Sequence, residues 1–173
     1  LFRLLLGQEK PDSGGLVMPR DYTIGHLSQH LHFEQPTILD EVTMVLGDRV
    51  AEEGYRAEAA LMGLGFSLED LTRPAAEFSG GYQIRINLAR VLVEQPNLLL
   101  LDEPTNYLDI LSVRWLQRFL QEWRNELIII SHDRQFMNSV TTHTMAIHRK
   151  KLRRIPGTVE KLFSQIGSEE EIY

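Results

Sequence analysis

The sequence predicts an α/β protein whose mainly parallel sheet is flanked by helices and interrupted by a helical segment. Three observations carry this. Residues 98–101 (Leu-Leu-Leu-Leu) and 127–130 (Leu-Ile-Ile-Ile) are unbroken apolar runs, as strands buried on both faces require. Each run stops at a polar cluster, Asp102-Glu103 after the first and Ser131-His132-Asp133 after the second. Stretches of helical period alternate with the strands, while residues 36–95 contain helical patterns and no convincing strand.

The elements follow in order. Residues 1–6 carry a helical pattern closed by Gly7, and 10–15 (Lys-Pro-Asp-Ser-Gly-Gly) form a turn. Residues 16–18 and 23–27 read as short strands around Pro19-Arg20-Asp21. A helix over 37–46 places Leu39, Val42, Val45 and Leu46 on one face, and a second over 52–64 stops near Gly65. A third spans 79–94, with Ile84, Leu88, Val91 and Leu92 inward. Pro104 ends the strand at 98–101 and suits the entry to a helix. Helices over 110–123 and 134–140 flank the strand at 127–130. Residues 144–148 and 152–155 form a hairpin around Arg149-Lys150-Lys151, and 159–166 form a closing helix. The predicted division is a partial core over 1–35, a helical subdomain over 36–95, and a second part of the core over 96–173.

Composition bounds the possible functions. The chain has 173 residues, 43% of them hydrophobic and 24% charged, which is the make-up of a soluble globular protein. No apolar run approaches the roughly 20 residues of a membrane helix. With no cysteine, disulfides and cysteine-ligated metals are excluded. There is no signal-peptide pattern, and Leu1 to Gly7 reads as the middle of an amphipathic helix, so the sequence is expected to start inside an element. The net charge of −6 does not point to nucleic acid. Arg149, Lys150, Lys151, Arg153 and Arg154 nevertheless cluster, either as a solvated hairpin or as a phosphate-contacting patch.

Ligands of open α/β sheets bind beyond the carboxyl ends of the strands. Asp102 and Glu103 stand there, and such a pair suits one carboxylate on a hard cation such as Mg²⁺ and its neighbour on a water. Ser79-Gly80-Gly81 precedes an amphipathic helix. Ser79 can cap that helix, and its free amides, unobstructed by side chains at the glycines, form a phosphate site. His132 ends the next strand and can share the crevice of Glu103. Gln29 follows the strand at 23–27, where a neutral amide can ligate a cation and hold a water.

This constellation resembles the nucleotide-binding domain of ATP-binding-cassette (ABC) proteins over nearly the whole chain. Gln29 matches the Q-loop, Ser79-Gly80-Gly81 the signature, and the 98–102 strand the Walker B strand. Glu103 matches the catalytic glutamate, Leu108-Asp109 the D-loop, and His132 the switch histidine. Residues 102–109 (Asp-Glu-Pro-Thr-Asn-Tyr-Leu-Asp) and 131–137 (Ser-His-Asp-Arg-Gln-Phe-Met) look most like the ABC-F class, with Tyr107 where His is common. Tyr82 occupies the place where transporters usually carry the signature glutamine.

The resemblance implies an ABC-type P-loop NTPase core that works as a head-to-tail pair of cassettes with ATP between them. Asp102 and Gln29 would serve Mg²⁺, Glu103 the attacking water, and His132 the γ-phosphate. Gln29 would also couple the nucleotide to the helical subdomain. Ser79, Gly80 and Gly81 would touch the nucleotide of the opposite cassette, and Asp109 would link the two sites. Tyr82 and Arg85 would be packing and surface contacts. The class further implies a cytoplasmic protein with two cassettes that acts on ribosomes. Two alternatives stay open: the ATPase subunit of a membrane transporter, and a piece that only supplies the signature or binds a partner. The pattern departs from the family in having no G-x-x-x-x-G-K-[S/T] loop, which in the family immediately precedes a helix like 1–6. The arm between Gln29 and Ser79 is also short for ABC-F, with Gly47-Asp48-Arg49 a candidate seam.

Overall fold

The structure is a computed structural model and describes residues 1–28 and 31–170, with the side chains of 168–170 left aside. Its centre is a parallel three-stranded sheet in the order β1 (Ile24–His26), β2 (Leu98–Asp102), β3 (Glu126–Ile130). Leu98 pairs with Ile24 on one side and Glu126 on the other, so β2 is the middle strand. Leu98, Leu99, Leu100 and Leu101 are all buried, as a strand covered on both faces demands.

Side-chain amides pin the amino ends of the strands. Thr23 N donates to Asn97 Oδ1 at 2.9 Å, and Asn97 N returns a bond to Thr23 Oγ1 at 3.0 Å. Asn125 Nδ2 donates to the carbonyl of Pro96 at 2.9 Å. These ties set the register, and the register decides which residues meet at the carboxyl edge.

Helices fill the chain between β1 and β2. After α1 (Phe2–Leu5) near the start, α2 (Ile38–Thr43), α3 (Val50–Gly63) and α4 (Gly80–Glu94) pack on one another. Ile38, Val42, Ala57, Leu61, Ile86, Leu88 and Leu92 form their shared core with Leu99 and Leu101 of the sheet. Thr37 caps α2 by accepting from Asp40 N at 3.1 Å. A crossover through α5 (Ile110–Gln121) joins β2 to β3, and α6 (Arg134–Val140) follows β3 and leads out of this sheet. The chain ends with the antiparallel pair β4 (His143–His148) and β5 (Lys151–Pro156), and then α7 (Val159–Glu170).

Several expectations needed correction. Residues 16–18 form no strand: Leu16 and Val17 are 51% and 94% exposed, and without a partner an extended segment has no ladder to join. The helix expected over 37–46 ends at Thr43 and continues as a 3₁₀ segment, Met44–Arg49. Gly47 breaks it at φ 54° and ψ −127°, a conformation that suits glycine. Pro104 opens a turn rather than a helix, with Asn106 N bonding the Glu103 carbonyl at 3.2 Å and α5 starting only at Ile110. Leu127, Ile128 and Ile129 are half-buried because β3 is an edge of the described sheet. An apolar edge strand invites a further strand to pair with it.

Candidate functional site

Glu103 is the first residue beyond β2, and its N–H bonds the carbonyl of Ile130 at 2.8 Å. That bond carries the strand pairing one step past β2 and brings Glu103 against the end of β3. There its carboxylate accepts from the backbone N–H of His132 at 3.3 Å and from Ser131 Oγ at 3.3 Å. Its other oxygen pairs with Nδ1 of the His132 ring. The Glu103 side chain is 21% exposed and that of His132 is 97% exposed. The acid is thus lodged in the sheet edge, and the imidazole faces outward.

Glu103 also has φ 47°, a left-handed conformation that a non-glycine residue adopts at a cost on the order of 1–2 kcal/mol. The same bend of the backbone turns the Glu103 side chain to the end of β3. Behind it, Asp133 caps α6 by accepting from Phe136 N at 2.9 Å, and its own N–H bonds Ser131 Oγ at 3.0 Å. The segment 131–133 is therefore held by its own turn while it holds Glu103.

Asp102 is exposed at the end of β2, beside Glu103. Among the described residues no group of three or more acidic or histidine side chains could hold a metal ion alone. This donor set fits Mg²⁺, which typically takes one or two carboxylates and completes its shell with waters and substrate phosphates. Gln29 lies outside the described residues. The chain on either side of it is anchored: Asn87 Nδ2 bonds the Ser28 carbonyl at 3.2 Å and Arg90 Nη1 the His32 carbonyl at 3.1 Å. The buried carboxylate of Glu41 takes the N–H groups of Glu34 and Gln35.

Ser79 takes the N-cap position of α4 with extended backbone, but its side chain makes no capping bond, contrary to the sequence expectation. Ser79 and Gly80 are exposed, so the helix start is open to a ligand. Gly81 borders the loop after β2: a Cβ there would lie 3.6 Å from the Tyr107 ring.

The residue that sequence reasoning misplaced is Arg85. It is buried, not a surface contact, and its side chain is 9% exposed. Its Nε donates to the Tyr107 carbonyl at 2.8 Å, and its Nη1 to the Leu64 carbonyl and Asp109 Oδ2, both at 2.9 Å. The signal was in the sequence: Arg85 stands three residues before Leu88 and seven before Leu92, on the buried face. Tyr82 packs as expected, its ring 5.3 Å from Phe66 and 4.5 Å from the Arg85 guanidinium.

Asp109 caps α5 by accepting from Leu111 N and Ser112 N, each at 3.0 Å. The Ser112 N–H chiefly, then Arg85 and the Ser112 hydroxyl, hold its carboxyl at about 2, against burial acting the other way. Because the folded value lies below the unfolded one, this contribution to stability is complete above the ordinary carboxylate value and is lost as pH falls through about 2. A carbon-13 NMR titration should give a midpoint near 2 for Asp109; a midpoint at the ordinary carboxylate value would refute this network.

The chain belongs to the ABC transporter family, whose sequence pattern matches residues 1–106. It is 40% identical over 127 residues to "ATP-binding cassette sub-family F member 3" of Rattus norvegicus, covering 73% of this chain and 18% of that protein. To "ABC transporter F family member 4" of Arabidopsis thaliana it is 44% identical over 116 residues, 67% of this chain and 16% of that one. The alignment to "Putative ATP-binding protein YdiF" of Bacillus subtilis is 30% identical over 212 residues, 99% of this chain and 33% of that protein. The chain thus spans about a sixth to a third of the length of these relatives.

Solved structures share the fold. One described as "RNase-L Inhibitor" superposes with a TM-score of 0.73 at 20% identity, over 96% of this chain and 33% of its own. The dimeric cassette MJ0796, bound to ADP and Pi, does so at 0.60 and 22% identity, over 79% and 64%.

Proposed function

We propose that this chain is part of a Mg²⁺-dependent ATPase of the ABC-F class that hydrolyses ATP between two cassettes and acts on ribosomes in the cytoplasm. The observation that carries the ATPase reading is the pairing of Glu103 with His132 across the carboxyl ends of adjacent strands. Glu103 is placed to orient a water and take its proton, and the Ser131 hydroxyl and His132 amide fix the direction of its carboxylate. His132, exposed and backed by Glu103, is placed to donate to a γ-phosphate as charge develops on it.

Asp102, with Gln29, would hold Mg²⁺. When bound, the ion neutralises charge on the β- and γ-phosphates. Ser79, Gly80 and Gly81 would offer amides to the nucleotide of the opposite cassette, and Asp109 would meet that cassette beside them. The phosphate loop that holds the β- and γ-phosphates matches no segment of the 173 residues, so the full-length protein is the active unit in this reading. The segment 36–95 acts as the helical subdomain that presents the signature.

The sub-family F relatives and the F-like runs 102–109 and 131–137 support the ABC-F class, and the ribosomal partner is what resemblance to that class implies. No helix among the described residues is long and apolar enough to cross a membrane. The test is co-sedimentation of the full-length Glu103→Gln protein with ribosomes, with and without ATP. ATP should raise the bound fraction several-fold; equal sedimentation in both conditions would remove the ribosome from this reading.

A further inference from the structure

Arg85 brings a positive charge into the interior, and a buried charge needs partners. It draws them from three segments: Leu64 after α3, Tyr107 in the loop after β2, and Asp109 with Ser112 at the start of α5. Room for the guanidinium comes from Gly65, at φ 96°, where a Cβ would stand 2.7 Å from Arg85 Nη1. Tyr82 covers its face. An anchor serving packing alone needs no charge, since apolar residues of similar volume commonly do as well.

This arrangement fixes both oxygens of Asp109. Oδ1 caps α5, and Oδ2 takes Arg85 and the Ser112 hydroxyl, yet half of the side chain stays exposed. The same helix that supplies Arg85 begins with Gly80 and Gly81, and Gly81 lies against Tyr107. Resting on the two-cassette ATPase reading, we infer that Arg85 is a positioning residue. It bolts the loop 107–109 to α4, so that Asp109 and the signature glycines meet the facing cassette as one rigid unit. Its work is done through Asp109, and it touches no reacting atom itself.

A double-mutant cycle on ATP turnover by the full-length protein tests this, using Arg85→Lys and Asp109→Asn. Lysine keeps the charge but cannot span three segments. Asparagine keeps the cap and loses the ion pair. Each single variant should lower kcat about tenfold with KM for ATP within twofold, and the double variant should be no slower than the slower single. Multiplying losses would overturn the inference, because two independent structural effects add. So would Arg85→Lys with wild-type kcat per folded molecule, whatever its melting temperature. Glu103→Gln is run alongside: if it turns over ATP normally, the hydrolysis reading fails and this inference falls with it. If Glu103→Gln is inactive while Arg85→Lys is not, only the inference falls.

Discussion

Glu103→Gln in the full-length protein should lower kcat for ATP hydrolysis by about 10²–10⁴, the usual worth of a placed general base. At 1.36 kcal/mol per tenfold, the barrier rises by roughly 3–5 kcal/mol. Glutamine has the shape of glutamate and keeps one acceptor oxygen, so the bonds from Ser131 and the His132 amide can survive. What it lacks is the ability to take a proton. ATP affinity should therefore stay within about threefold, because the change falls on the transition state and not on the ground state. Single-turnover kinetics with labelled ATP separates the two quantities. A variant that hydrolyses at the wild-type rate would strip Glu103 of its role.

Leu101→Ala should cost about 2–5 kcal/mol of stability, measured as a shift in the urea midpoint with an unchanged slope. Leu101 is 0% exposed, pairs with Ile129, and belongs to the main core. Its neighbours are fixed by a strand on one side and helices around it, so the cavity cannot collapse. Against a typical total of about 5–15 kcal/mol the loss is large. Ile147, 71% exposed on β4, serves as the contrast: its alanine variant should change stability by less than about 0.5 kcal/mol. A loss below about 1 kcal/mol at Leu101 would mean that β2 is not the packed centre of the fold.

The strand at 98–102 and the two clusters that end β2 and β3 were legible in the sequence, because both signals are local. Four leucines in a row have no solvent face to spare, and carboxylates beyond them must stand at an edge. The helix start at Gly80 was legible for the same reason. The half-exposed β3 was not, since a strand's burial depends on what lies beside it. Residues 16–18 misled because β-propensity states only that a segment could pair. The 3₁₀ segment 44–49 and its break at Gly47 were not legible either, since an amphipathic pattern does not say where a helix tightens.

By itself the sequence determined the parallel α/β class, most of the order of the elements, and which residue types follow β2 and β3, since periodicity and residue type act over a few neighbours. Only the tertiary structure decided that Glu103 and His132 pair, because residues far apart in sequence meet only once the register of β2 on β3 is set. Only it placed Arg85 inside, where the carbonyls of Leu64 and Tyr107 and the Asp109 carboxylate converge from three segments and make burial of a charge affordable.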